Sequence, residues 1–90
     1  MEREPGDIFH MIHVVPMNGK YVLSAAPLQG PGGAIPYSTL SAEELTGALR
    51  SIGNPPKDLE GLMRDITGGM AVSVLAFLNE DDLRMLHLVD

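Results

Sequence analysis

Three histidines, eight hydroxyl side chains and one glycine-rich run are the parts of this 90-residue chain from which chemistry could be assembled. His10 and His13 suggest a metal pair, because imidazole is the commonest transition-metal ligand. Both fall in an apolar, β-branched run, and on a strand residues three apart point to opposite faces, so one ion cannot take both. His87 lies far along the chain, and no spacing supplies a third ligand. No metal site is assigned. Structural or hydrogen-bonded histidines are the expected role instead.

The hydroxyls of Ser24, Ser38, Thr39, Ser41, Thr46, Ser51, Thr67 and Ser73 have no nucleophile setting such as G-x-S-x-G around them. With no cysteine in the chain, thiol nucleophiles, Cys-ligated zinc and disulfides are excluded. No catalytic residue is assigned, and the balance leans against an enzyme. Gly30-Pro31-Gly32-Gly33 resembles a phosphate-cradling loop only in its glycines. A Walker-type loop needs a Lys and a Ser or Thr next and a helix opening there, whereas Ala34-Ile35-Pro36 follows. No cofactor is expected.

Twelve acids against six Lys and Arg give a formal charge of −6, which opposes a nucleic-acid ligand. The same charge invites the idea of an inhibitor that mimics nucleic acid. Most of the acids, however, fall where first turns of helices are expected and where the macrodipole favours them.

The elements follow from local signals. Residues 8–15 and 21–26 are apolar runs joined through Asn18-Gly19, the dipeptide that most favours a type I′ turn. The resulting hairpin sets Met17 opposite Lys20, Val15 opposite Val22, Val14 opposite Leu23 and His13 opposite Ser24. Residues 27–39 hold three prolines and three glycines and read as a long loop, a candidate lid. A first helix opens at Ser41 with Glu44 completing a capping box and Leu40 stapling to Leu45. Its buried stripe is Leu45, Ala48, Leu49 and Ile52, with Gly53 as the closing glycine. A second helix starts near Pro56, buries Leu59, Leu62, Met63 and Ile66, and ends at Thr67-Gly68-Gly69. Residues 70–78 read as a buried third strand, with a helix as the competing reading. Residues 79–90 read as a helix capped by Asn79, with a strand over 83–89 as the competing reading.

The expected fold is therefore a small single α+β domain in the order β-β-α-α-β-α, with residues 1–7 as a flexible arm and 8–90 as the domain. The longest apolar run has nine residues, about half a membrane span, so neither a membrane nor a signal segment is expected and the cytoplasm is the default location.

Strands apolar at nearly every position need cover on both faces, and two short helices cover one. The remaining cover comes from the C-terminal segment, a second copy or another protein. The sequence thus points to a non-catalytic protein-binding module that pairs with itself as a homodimer. Its contacts would be Val15, Val22 and Phe77 on the strands and Ile35 and Tyr37 as loop anchors. The alternative is a small-molecule-binding or enzymatic subunit using loop 27–39 as a lid.

Overall fold

The structure, a computed structural model, describes residues 7–28 and 35–89. The expected arm at 1–7 and the middle of loop 27–39 lie largely outside the described residues. The elements are β1 (Ile8–Met17), β2 (Lys20–Pro27), β3 (Tyr37–Leu40), α1 (Ala42–Ser51), α2 (Leu59–Thr67), β4 (Val72–Leu78) and α3 (Glu80–Met85). The α+β class and the order of the expected elements stand. One strand is added to them.

Asn18 and Gly19 both take positive φ, 52° and 79°, as a type I′ turn requires, and Met17 faces Lys20 with Val15 opposite Val22. A β-branched side chain at Gly19 is forced into the left-handed region. Gly19→Val should therefore lower unfolding free energy by about 2 kcal/mol, while Asn18→Gly stays within about 0.5 kcal/mol. Urea titration reads both values, and an unchanged midpoint for Gly19→Val would place the turn elsewhere.

The added strand, β3, occupies the end of the stretch read as loop. Tyr37-Ser38-Thr39 pair with Ser24, Leu23 and Val22, and Leu40 pairs with Tyr21. Tyr and Thr suit a pleated surface, and alternation sends Leu40 into the core while Tyr37 remains exposed. The four-stranded antiparallel sheet has the order β3-β2-β1-β4, so β4, read as a buried strand, is an edge strand.

Ser41 caps α1 in a reciprocal box. Its hydroxyl accepts from the Glu44 N–H at 3.1 Å, and the Glu44 carboxylate accepts from the Ser41 N–H at 2.9 Å. That backbone bond, with the Ser41 side chain second, holds the Glu44 carboxyl below the usual carboxylate range. The box is thus at full strength above that range and weakens as pH falls through the lowered value. Ser41→Ala should cost about 1 kcal/mol at neutral pH by thermal denaturation, and no loss would contradict the cap.

Two helix ends depart from expectation. The α1 end is not closed by a left-handed Gly53, because Ile52 leaves the helix extended and the Gly53 N–H instead donates to Asp82 Oδ1 at 3.0 Å. Helix α2 starts at Leu59, three residues beyond Pro56, and its N-cap Asp58 accepts from the Gly61 N–H at 3.1 Å. Asp58 displaces the proline as the start signal because its carboxylate satisfies an amide that proline leaves bare.

The last helix closes as a Schellman motif, with the His87 N–H donating to Arg84 O and the Leu88 N–H to Leu83 O. His87 sits at φ 61°, a position usually taken by glycine. This end returns Leu86 and Leu88 to the core, and the Ser38 hydroxyl donates to Leu86 O at 2.8 Å. The core joins Ile12, Val14, Leu23, Ala25, Ala76 and Leu78 of the strands to Leu45, Leu49 and Ile66 of the helices. All three helices therefore lie on one face of the sheet, and the C-terminal segment does not cover the other.

Candidate functional site

Pairing register identifies what the uncovered face carries, because residues directly opposite in an antiparallel ladder share a face. Across β2, β1 and β4 the rows are Ala26–Met11–Leu75 and Ser24–His13–Ser73, with Tyr37 of β3 beside Ser24. Val15 and Val22 pair above them, beside Thr39, and Phe9 pairs with Phe77 at the opposite end. The two phenyl rings stack with centroids 4.6 Å apart and planes tilted by 31°. Tyr37 is 71% exposed, Met17 55%, Leu75 44% and Val15 41%, so this is an apolar surface open to water.

Of the five residues expected to make contacts, Val15, Val22, Phe77 and Tyr37 fall on this one face. Ile35, also exposed, precedes β3 and belongs to no strand. Sequence reasoning missed Phe9, Met11 and Leu75. The signal was present in the hairpin register: once Val15 and Val22 are paired, every second residue back along β1 shares their face.

The face is electrically distinctive for a chain of charge −6. None of the four strands contains Asp or Glu, and Lys20 is their one cationic Lys or Arg. The acids of α1, α2 and α3 lie in the helix layer, where Arg84 joins Glu80 at 3.0 Å and Asp81 at 2.8 Å. Charge and apolar surface are therefore segregated to opposite sides of the sheet.

The histidines are kept apart, as their spacing required. His10 is buried beneath the helices and donates from Nδ1 to the Ile8 carbonyl at 2.8 Å. His13 lies exposed on the open face, its Nδ1 hydrogen-bonded to Ser73 Oγ at 2.7 Å. Among the described residues no group of three or more His, Asp or Glu is arranged to hold a metal ion, and no helix is long and apolar enough to cross a membrane.

A groove of about 530 Å³ runs between α1 and α2, lined in part by Glu43, Arg50, Glu60, Met63 and Arg64. It belongs to the helix layer and draws no lining from the described residues of loop 27–39, where the lid reading looked for a pocket. Comparison with protein-family models, curated proteins and solved structures gives no match.

Proposed function

We propose that the chain is a protein-interaction domain rather than a catalyst, and that its partner is a second copy of itself, docked open face to open face. The observation that carries this reading is a sheet face that no described helix covers and whose strands contain no carboxylate, while the other side holds the helices. Four strands, about 4.8 Å apart, and the seven residues of β4 span roughly 20 by 25 Å, or on the order of 500 Å² per chain. Two such faces bury about 1,000 Å² together, the threshold that a biological interface has to reach.

Charge does little to oppose a like copy. Face-to-face docking places the two acidic helix layers on the outside of a sandwich, separated by two sheets about 10 Å apart, beyond a Debye length at physiological salt. Apolar contact therefore meets little repulsion, and a two-fold axis through the face lets one surface satisfy itself. Salt should change the association little, in contrast to the steep salt dependence of a nucleic-acid mimic.

Sedimentation equilibrium at micromolar concentration tests the reading. A mass of two chains, nearly independent of salt between 50 mM and 300 mM, is the expected result. A mass of one chain at every concentration would overturn it.

A further inference from the structure

We propose that His13 makes this self-pairing pH-sensitive, so that the dimer holds at neutral pH and separates on mild acidification. The inference rests on the face-to-face reading and assigns its regulation. His13 sits midway along β1, one of the two inner strands, with Ser24 beside it on β2 and Ser73 on β4. Docking two open faces therefore places both imidazoles near the middle of the interface.

Histidine is the side chain whose charge ordinarily changes between pH 5 and 8. A neutral imidazole, already hydrogen-bonded to Ser73, enters an apolar interface at modest cost. A protonated one needs an anion there, and none of the four strands carries a carboxylate. The polar and titratable strand groups that share the face are Ser24 and Lys20 of β2, Tyr37 and Thr39 of β3 and Ser73 of β4, and no helix packs over it. Ser73 also borders a groove at the edge of β4 lined by Lys57, Asp58, Arg64 and Asp65, where two cations stand against two anions. The second copy brings the same set, including its own His13.

The sign follows from linkage. The dimer excludes the protonated form and the separated chains admit it, so protons favour separation. Each histidine weakens association by up to tenfold per pH unit below the range where imidazole titrates, and a dimer holds two. The dissociation constant should therefore rise about a hundredfold between pH 7.5 and pH 5.5.

Sedimentation of the full chain at both pH values, beside His13→Gln, tests this, with circular dichroism following the fold. Gln keeps a hydrogen-bonding group for Ser73 and cannot be protonated, so His13→Gln should remain dimeric at pH 5.5 while the unaltered chain separates with its fold intact. An equally tight dimer at both pH values would refute the switch and leave self-pairing standing. A single-chain mass at both would refute self-pairing itself. An equal weakening in His13→Gln, or loss of the fold at pH 5.5, would assign the effect to other groups and overturn the proposal.

Discussion

Asp82→Ala should lower the unfolding free energy by about 2 to 3 kcal/mol, which for a domain of this size is a fall in Tm of roughly 10 to 20 °C. Asp82 is 4% exposed, and its two carboxylate oxygens accept from different parts of the chain. Oδ1 takes the Gly53 N–H and Oδ2 the Asn79 N–H, each at 3.0 Å. The Asn79 side chain returns the favour by accepting from the Asp82 N–H at 2.9 Å. One side chain therefore caps α3 and pins the connection between α1 and α2 against it. Removing the carboxylate leaves two partly buried amides without their acceptor, and each unsatisfied group costs about 1 to 3 kcal/mol. Asp81→Ala is the control, since Asp81 is exposed and pairs with Arg84 on the surface, and it should cost less than about 0.5 kcal/mol. Equal stability of the two variants in urea would show that the buried carboxylate contributes nothing beyond a first-turn acid.

That residue also marks where sequence reading stops. Asp82 looks the same as Glu80 and Asp81, an acid in a first turn, and only a contact across 29 positions distinguishes it. The hairpin was legible because Asn18-Gly19 fixes both the turn and the register within a few residues. The α1 cap was legible for the same reason, with Ser41 and Glu44 three apart. Strand β3 was not, because its four residues include one core side chain, Leu40, and the pairing that makes them a strand lies with Tyr21–Ser24 across the loop.

The open face was half legible. Val15, Val22 and Phe77 read as contact residues because the strands are apolar on both sides. For the same reason no alternation reveals which side the helices take. That choice is made by tertiary packing, once α3 joins the same layer as α1 and α2.

Val22→Lys should raise the dissociation constant of the self-paired form at least about a hundredfold. Val22 lies on the open face between Val15 and Thr39, so in a separated chain a lysine there reaches water and the fold survives. In the docked pair each copy would bury a new cation against a face without a carboxylate. Leaving a buried charge unpaired costs about 3 to 5 kcal/mol, and 1.4 kcal/mol is tenfold in affinity. Met63→Lys, in the groove between α1 and α2, adds the same charge to the helix layer and should leave the mass unchanged. Because the proposed pairing would add to stability by mass action, Val22→Lys should also remove the concentration dependence of Tm that it confers. A dimer that tolerates Val22→Lys and is split by Met63→Lys would move the interface to the helices.

The most direct test of face-to-face pairing is the set of NMR contacts between an isotopically labelled copy and an unlabelled one in a mixed sample. The account predicts intermolecular contacts from the side chains of Met11, Val15, Val22, Leu75 and Phe77, and none from Ala48, Met63 or Met85. Intermolecular contacts confined to the helices, or an absence of any at millimolar concentration, would contradict it.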